Sequence, residues 1–407
     1  MNALKSALPL ILASGGGQLL TLLSTPILAR YYSPEHFGIW AIFVAVTSLL
    51  ITVSALRYDM SILLPKSKKH SLMLSLISLR HVLAVTLLTT TVCLVLFLAD
   101  YGAKYIYIFV PLSILFGGMS LITTAQLIYD RKYKEISISK FSQTVLTVVL
   151  NFVFIFSINL EYVGIGLVVS TVIGQLLCFL MQSTYLGFGY SSLMNLVYRR
   201  YSTRLAKKYR DFFTFSLPEA FVGTVSFTLP IYILSLNYTI EIVGQYTLAQ
   251  RILMVPLAIL GSALSSVYMK EFSEKISMNG SISGDLLRLW FYYLMGGFIP
   301  AILIYTFSVP VIVLLLGEEW QLTGEIIGAL SIPAYIGFVF SISSPAHVVL
   351  RIQDLSLYFS LVALFLKTLV AILWESSVIE LLVLLVLIDL LSSLVMNMLC
   401  YRKAVSQ

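Results

Sequence analysis

The sequence predicts an all-α integral membrane protein with about twelve transmembrane helices. Of its 407 residues, 59% are hydrophobic and only 11% are charged, whereas soluble domains carry about 25% charged residues. A soluble core of this length has no use for so much apolar surface, so lipid is the expected solvent. Twelve apolar runs reach or approach the length of about 20 residues that a membrane-spanning helix needs.

The predicted spans are separated by short polar links. They are residues 8–29, 37–56, 72–98, 104–128, 141–158, 163–186, 213–236, 245–268, 286–308, 325–344, 356–374 and 379–400. The run after residue 308, VPVIVLLLGEEW, either lengthens the ninth helix or lies along the membrane interface. The first apolar run has no small-residue cleavage site, so we expect a retained first span rather than a removed signal peptide.

Positive charge is distributed asymmetrically along the chain. With the N-terminus in the cytoplasm, 21 of the 26 Lys and Arg residues fall in cytoplasmic links or adjoining helix ends, and three fall on the opposite side. Because Lys and Arg accumulate in cytoplasmic loops, we predict that both termini are cytoplasmic and that the number of spans is even. The three cysteines lie inside apolar runs, which excludes a disulfide framework and metal-ligand spacing.

Two short polar stretches resemble each other. YYSPEHFGIW at 31–40 lies between the first and second spans, and YTIEIVGQY at 238–246 lies between the seventh and eighth. Tyr, Ser or Thr, Glu, an apolar residue, Gly and an aromatic residue recur in the same order. Ser33 is expected to cap a helix that begins at Pro34. This recurrence predicts that the chain is one helical lobe, roughly doubled.

The longest cytoplasmic link falls between the sixth and seventh spans. It contains YRRYSTRLAKKYRDF, a basic stretch that suits contact with anionic lipid. We therefore predict a six-helix N-terminal lobe at 1–190, a basic cytoplasmic linker at 191–212 and a six-helix C-terminal lobe at 213–407. Doubled bundles of this kind form transporters with a substrate site between the halves, so a central cavity is expected.

Several charged residues fall where lipid is expected, and such residues usually face a cavity. They are Arg80 with His81, Glu219, Arg251, Lys367 and Asp389, with Arg30 and Arg57 at helix ends. Each also has a simpler explanation: the arginines can reach the interface, Glu219 can favour a helix start, and Lys367 can pair with Asp389. As a group, the cations suit an anion, especially phosphate, which Arg binds through two parallel hydrogen bonds.

The candidate site follows from these charges. The predicted substrate-binding residues are Arg30, Arg57, Arg80, Arg251 and Lys367, and the predicted ion-coupling residues are Glu219 and Asp389. A carboxylate beside the cations could take up a proton or Na⁺ to drive cycling. The sequence has no Walker loop, HExxH, DxD or GxSxG motif, and its histidines are scattered, so we predict a transporter with no catalytic residue, metal or cofactor.

Longer stretches carry a family resemblance. They are GGGQLLTLLSTPILARYYSPEHFGIWAIF at 15–43, ALRYDMSILLPKSKKHSLMLSLIS at 55–78, SLPEAFVGTVSFTLPIYIL at 216–234, VGQYTLAQRILMVPLAILGSAL at 243–264 and LLLGEEWQLTGEIIGALS at 314–331. Together they resemble O-antigen flippases of the Wzx type, within the multidrug/oligosaccharidyl-lipid/polysaccharide (MOP) exporter superfamily. The resemblance covers the whole chain in span order.

The resemblance implies a function and a location. Such proteins move undecaprenyl-pyrophosphate-linked oligosaccharide repeat units from the cytoplasmic to the periplasmic leaflet of the bacterial inner membrane, by ion-coupled alternating access. The resemblance also implies that the protein is a monomer and acts together with a polysaccharide polymerase and a chain-length regulator. Arg30 and Arg251 occupy places similar to functional arginines of the related lipid II flippase, and Arg57 matches a third. The carboxylate pattern of the family does not carry over to Glu219 or Asp389, which leaves ion coupling open.

Two alternative functions remain open at this stage. A MATE-like multidrug exporter would need an acidic or aromatic cavity, and the interior Arg and Lys weigh against it. An O-antigen polymerase would need a sizeable extramembrane loop with catalytic acids or arginines, and the short outer links weigh against that.

Overall fold

The described part of the chain contains the fourteen α-helices given below and a further short helical turn at 205–208. The structure is a computed structural model and describes residues 2–99, 106–157, 163–187, 205–278, 280–350, 352–374 and 377–406. Its helices are α1 (Asn2–Leu28), α2 (Pro34–Ser54), α3 (Tyr58–Ser61), α4 (Lys68–Leu98), α5 (Ile106–Tyr129), α6 (Tyr133–Ser157), α7 (Val163–Leu186), α8 (Leu217–Asn237), α9 (Ile240–Ser277), α10 (Ser283–Leu316), α11 (Gln321–Ile342), α12 (Ser344–Val349), α13 (Gln353–Leu373) and α14 (Val378–Val405). These ranges contain no β-strand, which confirms the predicted all-α class.

The helices match the predicted spans in number and order. Ten helices of the described chain are long and apolar enough to cross a membrane, and α13 contains a shorter apolar stretch, Leu357–Leu373. With α1, these account for all twelve predicted spans. The VPVIVLLLGEEW run lengthens its helix, because α10 continues to Leu316. Helix α9 also extends beyond its predicted span, through the polar end KEFSEKIS to Ser277.

The chain divides into two compact units. Unit 1 comprises Met1–Thr228 and unit 2 comprises Leu229–Gln407, so the division falls within α8. Residues 188–204, which hold the predicted end of the first lobe and most of the basic linker, lie outside the described residues. The lobe boundaries given above therefore stay predictions.

The two units repeat four helix pairings. In unit 1, α4 packs on α5, α5 on α7, α6 on α7 and α2 on α5. In unit 2, the corresponding pairs are α10 with α11, α11 with α14, α13 with α14 and α9 with α11. The recurrence of these pairings in chain order agrees with the doubling that the two similar polar stretches predict.

The similar stretches also begin equivalent helices. Ser33 caps α2: its hydroxyl accepts from the His36 amide at 3.5 Å, and its own amide donates to His36 Nδ1 at 3.2 Å. Thr239 occupies the same place before α9, without a side-chain cap bond. Phe37 and Val243, at matching positions, are 1% and 0% exposed. Both copies thus turn the chain and anchor the next helix by a buried apolar residue.

Glycines allow close helix packing in both units. Helix α1 is continuous through the glycine-rich run SGGGQ at 14–18, and a Cβ added at Gly17 would lie 3.1 Å from Thr144 Oγ1 on α6. Gly324 and Gly328, one helical turn apart on α11, face the backbone of α10. A Cβ at Gly324 would lie 2.7 Å from the Val309 Cα. Small residues at this spacing let membrane helices approach backbone to backbone.

Candidate functional site

In unit 1, Arg30 lies on a firmly held turn. It follows α1, and its side chain is exposed. Nearby Tyr32 is 1% exposed, and its hydroxyl donates to the Asn151 carbonyl at 2.9 Å. Burial raises the pKa of the Tyr32 hydroxyl above its ordinary value, so it stays a neutral donor. The turn presents Arg30 outward while Tyr32 ties it to α6.

Arg57 lies at the other end of α2 in an unusual backbone conformation. Leu56 and Arg57 have φ values of 48° and 60°, in the left-handed region that non-glycine residues rarely adopt. Such strain persists where surrounding structure enforces it, often at functional positions. The Arg57 Nε is buried and has no hydrogen-bond partner among the described residues. Arg57 therefore retains a donor that an anion could use.

Asp59 lies two residues beyond Arg57 and is sealed from solvent. It is 5% exposed on α3. Burial raises the pKa of its carboxyl, while the nearby Arg57 charge and two backbone N–H groups act in the opposite direction. Burial therefore disfavours the carboxylate form in this structure. Arg57 thus acts electrostatically on Asp59 from two residues away.

Arg80 and Glu219 lie near the same end of unit 1. Arg80 is exposed on α4 and precedes His81, whose ring stacks on Tyr58. Glu219 is exposed in the first turn of α8 and follows a π-helical turn, Phe212–Ser216, that packs against α3. The structure thus places Arg57 directly before α3 and Arg80 on a helix that contacts α3, and Glu219 follows a turn that contacts α3.

Arg30 does not join that group. It precedes α2 and Arg57 follows it, so the 21 residues of α2 separate the two arginines. A helix of this length spans about 30 Å at 1.5 Å per residue. Unit 1 therefore has two separate cationic positions rather than one.

In unit 2, Lys367 and Asp389 form an ion pair. The Lys367 Nζ on α13 lies 2.5 Å from a carboxylate oxygen of Asp389 on α14. Tyr246 of α9, the last residue of the second polar stretch, interacts electrostatically with Asp389. Arg251, half-buried, follows Tyr246 by five residues on the same helix. The structural pair that the sequence left open is present.

Buried amides form polar centres that a search for charges missed. In unit 1, the Gln182 side-chain oxygen accepts from Thr123 at 2.6 Å and Thr124 at 3.1 Å, and its nitrogen donates to Ser139 at 3.1 Å. In unit 2, Asn397 accepts from Ser343 at 2.6 Å. The sequence does indicate these centres, because each is a single Gln or Asn within an apolar run, and a buried side-chain amide needs hydrogen-bond partners.

No group of three or more His, Cys, Asp or Glu residues in the described ranges could hold a metal ion. The candidate residues described above offer Arg donors for an anion and the Asp389 carboxylate paired with the Lys367 ammonium.

A doubled all-helical bundle with charges inside its helices is the architecture of a secondary transporter. The chain belongs to the family described as polysaccharide biosynthesis protein, whose model matches residues 3–269. This match confirms the resemblance to Wzx-type flippases of the MOP superfamily. No curated protein sequence matches the chain.

Solved structures share the fold at low identity. A lipid II flippase, MurJ, in an inward closed conformation matches with a TM-score of 0.70 and 13% identity, over 97% of this chain and 89% of its own. An inward-facing MATE family multidrug resistance transporter of the MOP superfamily matches with a TM-score of 0.68 and 14% identity, over 96% and 95%. A MOP superfamily transporter from Pyrococcus furiosus, described by the reverse polarity of its binding pocket, matches with a TM-score of 0.59 and 14% identity, over 98% and 94%.

Proposed function

We propose that the protein is a flippase for undecaprenyl-pyrophosphate-linked oligosaccharide repeat units of a surface polysaccharide such as O-antigen. It moves them from the cytoplasmic to the periplasmic leaflet of the bacterial inner membrane by ion-coupled alternating access. A polysaccharide polymerase and a chain-length regulator act on the delivered units. The proposed cargo-binding residues are Arg30, Arg57, Arg80 and Arg251, whose guanidinium groups suit the pyrophosphate.

The family match carries this proposal. The chain belongs to a polysaccharide biosynthesis family, and its fold resembles that of a lipid II flippase over 97% of its length. Arginine positions at both ends of α2 supply the donors that a phosphate group prefers. The sequence grouped Lys367 with the cargo-binding cations. In the structure Lys367 forms an ion pair with Asp389, so we propose that it takes part in ion coupling rather than in cargo binding.

Physical chemistry explains why such a cargo needs a protein. Each sugar hydroxyl buried without a partner costs roughly 1–3 kcal/mol by protein mutational estimates, so several sugars make spontaneous flipping negligible. The undecaprenyl tail prefers lipid and can remain there. The pyrophosphate is anionic, and an inside-negative potential assists outward movement by about 2.3 kcal/mol per charge per 100 mV.

The test is to delete the gene and analyse lipid-linked glycan by mass spectrometry with leaflet-selective labelling. Single repeat units that accumulate facing the cytoplasm are the expected result, and the glycan identifies the cargo. Single units that accumulate unpolymerised on the periplasmic side would overturn the proposal and indicate a polymerase.

Arginine variants test the cargo site in the same assay. Arg57→Lys keeps the charge and loses the bidentate geometry, so we expect at least a tenfold fall in flipping. Arg131 is a matched control, because its backbone is also in the left-handed region, with φ 59°. Its side chain is exposed in the turn between α5 and α6. Arg131→Lys is expected to flip normally. Equal activity in both variants would remove Arg57 from the cargo site.

The likeness to MATE transporters supports a second candidate, a multidrug exporter. It predicts that deletion raises sensitivity to cationic drugs and leaves lipid-linked glycan unchanged. Measuring both in one deletion strain separates the two functions.

A further inference from the structure

The ion pair in unit 2 is unevenly buried. The Lys367 side chain is 2% exposed, whereas the Asp389 side chain is 53% exposed. The cation is therefore sealed within the protein, and the carboxylate is open to its surroundings. A small ion reaching this pair from outside meets Asp389 first.

Protonation would change the charge of this pair from zero to plus one. One proton from water adds to a carboxylate oxygen of Asp389, and no other bond is made or broken. The sealed ammonium then faces a neutral carboxyl group. Removing the carboxylate charge is unfavourable for a cation as buried as Lys367, because the ammonium loses the charge of this partner. Protonation thus favours another conformation, in which α13 and α14 release Lys367 toward water.

Sodium does not fit this position. The carboxylate is already bound by a tethered cation at 2.5 Å. Sodium sites in transporters also use backbone carbonyls freed where helices are unwound. Helix α13 runs unbroken from Gln353 to Leu373, and α14 from Val378 to Val405, so both are regular through the pair.

Lys367 and Tyr246 are the described titratable groups with an interaction with Asp389. Tyr246 on α9 acts on it electrostatically. Helices α10 and α11 also pack against α14, and three of their titratable groups bond to other partners. These bonds join Asp285 to Lys275, Glu325 to Gln321, and Tyr335 to the Tyr293 carbonyl. Among the described groups, Lys367 is the cation in direct contact with Asp389.

We propose that Lys367 and Asp389 form a proton-binding switch in unit 2 that does not respond to Na⁺. Its role in a transport cycle rests on the proposed function, but the switch itself is a property of α13 and α14. A nearby reporter is Trp374, which packs with Val370 of α13 and with Leu381 and Leu385 of α14. Its emission should change when these helices move.

The experiment is a pH titration of tryptophan emission on the purified chain in lipid nanodiscs, in Na⁺ or in choline at equal ionic strength. We expect one pH-dependent change that is the same in both salts, disappears in Trp374→Phe and disappears in Asp389→Asn. The matched control is Asp285→Asn, since the Lys275–Asp285 pair also measures 2.5 Å but is partly exposed on both sides. This control should keep the full response.

Variants with preserved charge balance guard against a folding defect. Lys367→Met combined with Asp389→Leu replaces the pair by apolar groups, so it should fold and show no pH response. Asp389→Glu should keep a response. A full pH response in the double variant or in Asp389→Asn would overturn the switch, as would a Na⁺-induced change that Asp389→Asn removes.

The switch and the transport function fail in different ways. The emission measurement needs no cargo. If emission responds to pH through Asp389 but no glycan accumulates in the deletion strain, the switch stands and the flippase proposal is refuted. If glycan accumulates in the deletion strain and the emission of Trp374 does not change with pH, the flippase proposal stands and the switch is refuted.

Discussion

The ring of Tyr58 stacks on the ring of His81, with centroids 5.5 Å apart and planes 11° from parallel. Tyr58 also donates its hydroxyl to the Ala206 carbonyl at 3.3 Å. One side chain on α3 thus joins α4 to the segment that leads into α8. Because Tyr58 follows Arg57 directly, these contacts hold the strained backbone that positions the arginine.

Separate variants should resolve the two contacts of Tyr58. Tyr58→Phe keeps the stack and loses the hydrogen bond, whereas Tyr58→Leu loses both. Since aromatic pairs contribute about 0.5–1.5 kcal/mol beyond their buried area, Tyr58→Leu should lower the apparent unfolding temperature in detergent more than Tyr58→Phe. Equal losses would show that the stack contributes nothing.

Asp59 should make stability depend on pH. Its folded pKa is raised above the ordinary 3.8 by burial, so the folded chain keeps a proton that the unfolded chain has lost. Stability therefore falls as pH rises through the window that begins near 3.8 and ends at the raised value. Asp59→Asn removes this ionisation, so its unfolding temperature relative to the parent should rise across that window.

Thermal unfolding at a series of pH values tests Asp59. The control is Asp211→Asn, which changes an exposed aspartate of the same unit. The relative unfolding temperature of this control should not follow the Asp59→Asn trend. If the difference in unfolding temperature between the parent and Asp59→Asn does not change with pH, burial of Asp59 has no energetic effect on its ionisation.

Gln182 should stabilise unit 1 more than its neighbour Gln175. Gln182 is 0% exposed and bonds to α5 and α6, whereas Gln175 accepts from Ser113 at 2.9 Å. Leaving buried polar partners unsatisfied costs about 1–3 kcal/mol, so Gln182→Met should unfold at lower denaturant than Gln175→Met. The reverse order would refute the assignment of Gln182 as the polar centre.

Gly324 should tolerate no side chain. An added Cβ would lie 2.7 Å from the Val309 Cα and 3.2 Å from the Ser308 carbonyl oxygen, and backbone cannot yield as a side chain does. Overpacking costs typically about 1–3 kcal/mol, so Gly324→Ala should destabilise unit 2. Gly337→Ala on the same helix meets nothing within 4 Å and should be neutral or stabilising. A neutral Gly324→Ala, measured by thermal unfolding, would contradict the close approach of α10 and α11.

Hydropathy predicted nearly all of the fold. Lipid requires every spanning backbone group to be satisfied internally, so an apolar run of sufficient length leaves the chain little choice but a helix. Helix ends were less predictable. Helix α9 continues to Ser277, and hydropathy did not indicate this because the last turns of the helix are polar. Packing of residues such as Phe272 in the core holds these turns in place.

The site was predicted less completely, for a physical reason. Sequence identifies charges inside spans but not which helices bring them together. The Lys367–Asp389 pair was foreseeable as one alternative because two opposite charges lay in consecutive spans. The left-handed backbone at Leu56 and Arg57 has no comparable signal, because neither residue favours that conformation.

The length of α2 has a consequence for the proposed cargo. A pyrophosphate group is far shorter than the roughly 30 Å that this helix spans, so it cannot touch Arg30 and Arg57 at once. Unit 1 would have to work as a relay, in which one arginine releases the head group before the other receives it. Two sequential residence times, rather than one, would then govern each crossing, and variants at the two ends of α2 should slow different halves of the journey.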